Sequence, residues 1–445
     1  MSNTDRQLAE KDMIIANKDA LIVLLRTEVT MLKEHVKELE RRLNLNSSNS
    51  SKPPSSDGLK KRPPTSLRLK GQNPSGGQIG HKGHTRAQQL EPTRIIQHPV
   101  HECEACKKSL TDQAPSTQIK RQVFEIPVPT IEVIEHQADV KTCSCGHTTT
   151  ANFPTNVTAP VQYGPRIKSL AVYLSNQQLI PEDRLKQLFS DVFELDISTG
   201  TLASINQKFS ALIKTQQDDV LNLLKNAPVK NLDETGFRIG AKTQWLHVIS
   251  NDKMTHYRVS PKRKDLLNDV TGVVVHDHWK PYFQMTNVQH ALCNAHILRE
   301  LKALQEIEKE PWAMRMLKLL RVTARFKKPP IGRIGACYDA IVNQGLAFHT
   351  SQSTFGKRKK RIGHNLLVRL RDFKNAVLRF AIDPLVPFTN NQAEQDIRMM
   401  KVKQKISGGF RTTNGADIFC TIRGFISTQR KQNKKIFREI VMAFD

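Results

Sequence analysis

This chain of 445 residues is short of three things: long apolar runs, cysteines and acidic residues. No segment approaches the about 18 consecutive apolar residues of a membrane-spanning helix, so we predict no such helix. The N-terminal residues lack the apolar core of a secretory signal peptide. Seven cysteines are too few for a disulfide scaffold in a chain of this length, which favours a reducing, cytoplasmic setting.

Acidic residues are outnumbered by basic residues throughout the chain. There are 42 Asp and Glu against 68 Lys and Arg, which gives a formal net charge of +26. A surplus of this size favours a polyanionic partner, and nucleic acid is the commonest one. The alternative is a basic protein that has no such partner. The 38% of hydrophobic residues allows a packed core, and the length fits about three domains.

Residues 5–45 carry an apolar residue at every seventh position, which is the pattern of a coiled coil. Ile or Val at the first seam position with Leu at the second favours a parallel dimer, and therefore a homo-oligomer. Lys11 and Lys18 occupy early second-seam positions, so we expect a weaker start. A single amphipathic helix packed on the body is the alternative. The seam residues are Leu8, Ile15, Ile22, Val29, Val36 and Leu43 at the first position and Leu25, Leu32 and Leu39 at the second.

Residues 46–90 are rich in Ser, Pro, Gly and Asn and cannot bury a core, so we predict a flexible linker. Such a basic arm could lie along DNA or enter a minor groove. A solvated spacer fits the composition equally well. Its basic residues are Lys52, Lys60, Lys61, Arg62, Arg68, Lys70, Lys82 and Arg86.

Four of the cysteines fall in two closely spaced pairs within residues 91–155. Cys103 and Cys106 have C-x-x-C spacing, and Cys143 and Cys145 form a C-x-C pair. The intervening residues 122–140 read as two strands with a proline-marked bend. A hairpin of this kind would bring four thiolates into one structural zinc site of a ribbon-like domain, with no open coordination position. Four unrelated reduced cysteines are the alternative, and three nearby histidines could substitute as ligands: His101, His136 and His147.

Residues 160–225 carry helical patterns. Pro181 is placed at a helix N-terminus and Ser198 is a candidate N-cap, with a short connection between the two helices. This arrangement permits a DNA-binding helix-turn-helix, and a plain helical packing module is the alternative. At the other end of the chain, residues 426–445 are expected to form a helical tail.

From residue 229 to about 425 the pattern becomes α/β. Three short strands precede a fourth, more buried strand that contains Val273–Val275. Three antiparallel strands, a helix and a parallel strand would give a ribonuclease-H-like sheet. Asp233 would then lie on the first strand and Asp277 at the end of the fourth, so both could face one edge of the sheet. We expect a basic, helical insertion over about 297–385, which includes Lys357–Arg361.

A third acidic residue, Glu394, falls in the first turns of a helix that begins near residues 389–391. Carboxylates from separate elements are the ligands that two hard divalent cations would need beside a DNA phosphate. Glu234 and Asp396 are the nearest rivals for these assignments. Cys293 and His296 form C-x-x-H, for which buried packing is preferred over a metal site because only two ligands are in sight.

Five basic residues follow Glu394 closely. We predict phosphate contacts for them because of that closeness. They are Arg398, Lys401, Lys403, Lys405 and Arg411.

Several motifs in this order resemble those of transposases of the insertion sequence 66 family, the large DDE-type protein of that element. The resemblance spans about residues 15–425 and rests on NSSKPPSSDG, the C-x-x-C and C-x-C-G pairs, DETGF, HDHWKPYF, CNAH and NNQAEQDIRMMKVKQKISGGFR. The second-acid block of the family reads more like D-G-Y-x-x-Y. Here it begins at Asp277 and keeps the acid and the final aromatic, Tyr282.

The resemblance implies Asp233, Asp277 and Glu394 as a catalytic triad that holds two Mg²⁺, or Mn²⁺, ions for DNA strand cleavage and strand transfer. It also implies terminal-repeat and target DNA as partners, accessory proteins encoded by the same element, and a nucleoid-associated location in bacteria. Two alternatives are a zinc-containing, dimeric DNA-binding regulator without catalysis, and a nuclease that hydrolyses DNA without joining it.

Overall fold

The computed structural model describes residues 3–50, 80, 82–83, 86–351 and 362–445. The basic run Lys357–Arg361 and most of the NSSKPPSSDG motif lie outside the described residues. The same holds for most basic residues of the predicted linker: Lys52, Lys60, Lys61, Arg62, Arg68 and Lys70. In the part of the chain that the structure describes, no helix has the length and apolarity to cross a membrane.

The described residues form helices, a two-stranded sheet and a five-stranded central sheet. The helices are α1 Asn3–Asn44, α2 Pro165–Val172, α3 Glu182–Phe193, α4 Thr199–Leu212, α5 Lys214–Asn226, α6 Asn294–Ala303, α7 Pro311–Thr323, α8 Ile331–Ser351, α9 Ile362–Asp372, α10 Lys374–Ile382, α11 Asn391–Ser407, α12 Thr413–Lys431 and α13 Ile436–Phe444. The strands are β1 Val140–Thr142, β2 Thr148–Thr150, β3 Val229–Ile239, β4 Lys242–Ser250, β5 Thr255–Ser260, β6 Gly272–His276 and β7 Val288–Leu292.

Strands β3 to β7 form one mixed sheet in the order β5-β4-β3-β6-β7. The strands β3, β4 and β5 are antiparallel neighbours, whereas β6 joins β3 and β7 joins β6 in parallel. The unbroken apolar run of β6 is explained by burial on both faces, since Val274 packs in one core cluster and Val273 and Val275 in another. The predicted mixed α/β core is therefore confirmed.

One predicted element of this core is wrong. Residues 261–271, between β5 and β6, form a loop rather than a helix. Pro261 has no backbone N–H to donate, and Asp269 adopts a left-handed φ of 58°, which interrupts helical geometry. The loop matters because it carries Arg263 back toward the sheet, as described below.

The first helix, α1, is a single long helix whose apolar seam has no partner within the described chain. From Ile15 to Leu43, the predicted seam residues are all exposed. The chain then turns at residues 46–49 and meets the body, where the Lys302 ammonium donates to the Ser48 hydroxyl at 3.2 Å. Exposure of this seam agrees with the coiled-coil prediction without testing it.

The cysteine-containing segment has little regular structure. The pair β1–β2 is a short hairpin, but residues 122–139 contain no strand, so the predicted pair of strands between the cysteine pairs is not formed. Pro127 and Pro129 explain the difference, because proline cannot donate to a strand ladder.

The helices α2 to α5 do not form a separate unit. Phe209 of α4 packs against Phe425 of α12 at 5.6 Å and against Phe444 of α13 at 5.1 Å between ring centroids. The predicted boundary at residue 425 therefore falls inside α12, and the predicted tail is part of this core. Ser198 caps α4 by accepting from the Thr201 amide at 3.1 Å, as expected, and the helix-turn-helix interpretation stays a prediction.

The predicted insertion is helical, as α6 to α10 occupy residues 294–382 apart from short connections and the residues outside the described range. Its own core includes Leu301, Trp312, Tyr338 and Leu367, all buried. The insertion therefore packs as a compact helical body between β7 and α11.

Candidate active site

The register of the central sheet places two acidic residues side by side. In the parallel pair β3–β6, Asn231 lies opposite Val275. Two residues further along both strands are Asp233 and Asp277, so their backbones emerge next to each other. Because side chains alternate along a strand, Asp233 faces the same side as Phe237, which packs in the core cluster of α11 and α12. The adjacent strand positions agree with the predicted strand placement, and the shared role of the two acids stays a prediction.

Glu394 lies in the first turn of α11, on the side of the sheet that Asp233 faces. The start of α11 is fixed by Asn390: its side-chain amide donates to the Leu232 carbonyl at 2.8 Å and its side-chain oxygen accepts from Asn231 at 2.7 Å. The backbone N–H of Asn390 points to the Cys293 sulfur at 3.1 Å. These buried contacts clamp the N-terminus of α11 onto β3, directly beside Asp233.

The electrostatics of the site show that its carboxylates are close. Burial raises the pKa of Asp233 well above its usual value, with further contributions from the negative charges of Glu234, Asp277 and Glu394. Burial also raises the pKa of Asp277. Carboxylates in a desolvated setting are hard to ionise without a nearby positive charge, and a bound cation would supply one.

The donor atoms available for a cation also fit. The Glu394 Oε1 and His296 Nδ1 atoms are buried and have no hydrogen-bond partner. With the Cys293 sulfur they form the one trio of potential ligands, among the described residues, whose atoms all lie within 4.8 Å of one another. The three carboxylates of Asp233, Asp277 and Glu394 do not form such a trio. Cys293 and His296 of the C-x-x-H motif therefore lie beside Glu394, although a packing role was preferred for them from sequence.

The first rival acid, Glu234, is engaged on the opposite face of β3. Arg263 donates to its carboxylate from Nε at 2.9 Å and Nη2 at 2.7 Å, and the Tyr282 hydroxyl donates to it as well. The guanidinium lies over the ring of Trp279 at 4.3 Å and that of Trp245 at 5.0 Å. The buried Glu234 carboxylate thus holds the loop after β5 in place through Arg263. Tyr282 of the second-acid block stabilises the same carboxylate by its hydrogen bond.

The second rival, Asp396, is also occupied. Its carboxylate pairs with the Lys431 ammonium at 2.8 Å and accepts from Thr255 at 3.3 Å, with the Asp396 and Lys431 side chains 9% and 11% exposed. This ion pair ties α11 to α12 and β5. Both rivals therefore hold the fold, and neither has a free carboxylate toward Asp233.

The five predicted DNA contacts divide into two groups. Arg398, Lys405 and Arg411 are exposed. Lys401 donates to the Gly236 carbonyl, and Lys403 lies over the Phe419 ring at 5.8 Å. Burial lowers the pKa of both of these lysines. The three exposed side chains are therefore the more accessible to a phosphate group.

The predicted zinc ligands form two separate turns. The Cys103 carbonyl accepts from the Lys107 amide at 3.0 Å, and the Cys143 carbonyl accepts from the Gly146 amide at 2.9 Å. Hydrogen bonds from neighbouring backbone amides lower the pKa of Cys103 and Cys143, which favours thiolates. The structure brings each pair together, but it does not gather the four sulfurs into one cluster.

Sequence reasoning missed Asn390, Arg263 and the buried state of His276. The signal for Asn390 was present in the paired asparagines before Glu394. His276 is fully buried, its Nε2 lies 3.0 Å from His290 Nδ1, and burial lowers its pKa to about 3. No local pattern indicated that Arg263 would reach back to Glu234 or that His276 would be buried.

Comparison with known families extends these observations. A family model described as the Transposase IS66 family matches residues 160–418, which include all the elements of the site. A family of unknown function, DUF6444, matches residues 4–87. No curated protein matches the chain.

Proposed function

We propose that this chain, which belongs to the IS66 transposase family, is a DNA transposase that cuts and joins the ends of a mobile element. Asp233, Asp277 and Glu394 are its catalytic carboxylates. The observation that carries this assignment is that β3 and β6 place Asp233 and Asp277 in adjacent positions and the start of α11 is bound to β3, while the rival acids Glu234 and Asp396 pair with basic side chains.

The topology supports this assignment. Three antiparallel strands followed by two parallel ones, in the order β5-β4-β3-β6-β7, fit the ribonuclease-H-like sheet predicted for the catalytic domain. Asp277 follows the carboxyl end of β6, and Asp233 lies just past the part of β3 that pairs with β6, where open α/β sheets commonly bind ligands.

The residues divide the work of the site. Asp233, Asp277 and Glu394 bind the divalent cations, and the raised pKa of Asp233 reflects a setting in which its negative charge lacks compensation. When bound, two Mg²⁺ or Mn²⁺ ions supply activation of the attacking hydroxyl and stabilisation of the leaving 3′-oxygen. Asn390 holds Glu394 in place through β3. The Glu234–Arg263 pair fixes the loop after β5 behind the site.

DNA binding follows from the charge of the chain. A net charge of +26 supplies attraction to the backbone, and the exposed Arg398, Lys405 and Arg411 continue that charge from the helix that carries Glu394. Lys401 and Lys403 contribute from partly buried positions. A structural Zn²⁺ on the four cysteines and a dimer formed through α1 complete the proposed assembly, with accessory element-encoded proteins as further partners.

The test is strand cleavage of a duplex that carries an element end, in Mg²⁺. The Asp233→Asn variant is expected to lose at least about 10³-fold in rate, because charge stabilisation at the reacting phosphate is lost. Its duplex affinity should change by less than about threefold, since phosphate contacts lie elsewhere. The matched control is Asp219→Asn, an exposed acid on α5.

Normal cleavage by Asp233→Asn would contradict the proposal. If the wild-type protein shifts the duplex but never nicks it, a non-catalytic regulator is the better description. Cleavage without products joined to target DNA would indicate a nuclease.

A further inference from the structure

We propose that His296 is a metal ligand that shares a divalent cation with Glu394. The inference rests on the proposed function and adds a nitrogen donor to a site otherwise made of carboxylates. In this assignment His296 of the C-x-x-H motif coordinates the cation, whereas Cys293 holds the two helix starts together.

Two helix starts bring the residues together. Cys293 is the N-cap of α6, so His296 lies in the first turn of that helix, and Glu394 lies in the first turn of α11. The two starts are joined by the contact of the Asn390 amide with the Cys293 sulfur at 3.1 Å and by the Asn294 amide, which donates to the Phe388 carbonyl at 3.2 Å. The spacing of His296 and Glu394 is therefore fixed by the backbone.

The two facing atoms have no other partner. His296 Nδ1 lies 3.9 Å from Glu394 Oε1, which is too far for a hydrogen bond. Both atoms are buried and unsatisfied, an arrangement that is unfavourable unless something lies between them. Metal–nitrogen and metal–oxygen bonds are each about 2 Å long, so the separation is short enough for one ion to bind both atoms.

Cys293 serves this site through position rather than coordination. Its sulfur already accepts the Asn390 amide, and its residue is 1% exposed. It tethers α11 to α6 and so sets the distance between the two ligands. A mixed set of imidazole and carboxylate binds Mn²⁺ better, relative to Mg²⁺, than carboxylates alone, because imidazole favours the transition metals.

The experiment measures Mn²⁺ binding to the full-length, metal-free protein without DNA, by the electron paramagnetic resonance of free Mn²⁺, with Mg²⁺ binding measured by calorimetry. We expect His296→Ala and His296→Asn to weaken Mn²⁺ binding at least about tenfold, and Mg²⁺ binding less. The matched control is His98→Ala, an exposed histidine outside the site, which should bind Mn²⁺ like the wild type. Thermal melting identifies which His296 variant is folded, and two variants are used for that reason.

The variants Asp233→Asn and Glu394→Gln separate this inference from the proposed function. If both weaken Mn²⁺ binding while the folded His296 variants bind it like the wild type, the inference is overturned and the carboxylate site stands. If none of the four variants changes Mn²⁺ binding, the carboxylate assignment is overturned as well. An equal loss of Mn²⁺ and Mg²⁺ binding in the His296 variants would contradict the nitrogen-ligand role.

Discussion

The carboxylate site and the cysteine segment are both proposed metal sites, but the surrounding structure supports them in opposite ways. Asp233, Asp277 and Glu394 lie on elements that are packed and hydrogen-bonded before any metal binds. Between residues 86 and 159, all of which the structure describes, no residue is buried. The cysteine pairs there have ordered turns without a core around them.

The difference implies that the two proposed metals would have different roles in the structure. At the carboxylate site the fold has already ordered the ligands, and a cation would relieve the repulsion of buried charges. In the cysteine segment, the ordering of four sulfurs would have to come from the metal itself, because binding and folding are then the same event. The predictions below test this contrast, beginning with the largest expected effect.

Removal of zinc is expected to unfold residues 91–155 and leave the sheet-containing core intact. A structural zinc site contributes about 10 kcal/mol or more, which this coreless segment has no other means to supply. Cys106→Ser should therefore lose bound zinc and gain protease sensitivity within 91–155, measured by metal analysis and limited proteolysis. Cys337→Ser, an exposed cysteine on α8, is the control. Wild-type protein without bound zinc would remove the basis of the contrast.

Replacement of Asp396 by Ala is expected to destabilise the core by about 3 kcal/mol, because it leaves the Lys431 ammonium buried without its counter-ion. Chemical denaturation measures this loss. Metal binding should be unchanged, since this acid holds the fold rather than a cation. A variant that keeps wild-type stability but loses Mg²⁺ would reverse the roles assigned to Asp396 and Glu394.

Asp233→Asn is expected to do the opposite and stabilise the metal-free protein by about 1 kcal/mol at pH 8. The folded-state pKa of Asp233 lies above its unfolded value, so its stabilising contribution is present at low pH and is lost as pH rises through the raised pKa. The wild type should lose stability over that range, and the variant should lose less. Thermal melting across pH 4–9, with and without Mg²⁺, checks the sign.

The control for this measurement is Asp219→Asn, whose exposed carboxyl should leave the pH dependence as in the wild type. Saturating Mg²⁺ should flatten the wild-type curve near neutral pH, because the cation compensates the buried charge. A wild-type protein that gains stability on raising the pH through this range would contradict the electrostatic account of the site.

The smallest expected effect concerns phosphate contacts. Lys405→Ala is expected to lower the salt dependence of DNA binding by about one phosphate contact, which is a slope change of about 1. Lys401→Ala should lower it less, because its ammonium already donates to the Gly236 carbonyl. Titrations at several salt concentrations measure both slopes. Equal slopes for Lys405→Ala and the wild type would remove Lys405 from the interface.

Much of the core was predictable because its signals are local. Period-two alternation located β4 and β5, a run of valines located β6, and the polar residues around Asn390 located the start of α11. Prediction from local pattern was wrong between β5 and β6, where a helix was expected and a loop is found. It also failed after Arg121, where Pro127 and Pro129 outweigh the strand-like composition.

The candidate site was predictable only in part. Sequence context selected Asp233, Asp277 and Glu394 and left Glu234 and Asp396 as rivals. The tertiary contacts that separate them join distant residues: Arg263 reaches Glu234, Lys431 reaches Asp396, and His296 faces Glu394. Such pairs depend on how the elements pack against each other, and the periodicity of a single sequence does not reveal that packing.

The sequence by itself determined most elements of the core, the basic character of the chain and the three candidate acids, because these depend on local side-chain pattern and charge. Only the tertiary structure decided which acids pair with basic side chains and which side chain faces Glu394. The physical reason is that a buried carboxylate must find a partner, and the partner is supplied by whatever the fold places within hydrogen-bond reach. For Glu234 and Asp396 that partner is a basic side chain, whereas Asp233 and Asp277 accept single backbone N–H groups and Glu394 Oε1 has no hydrogen-bond partner among the described residues, which leaves room for the proposed cation.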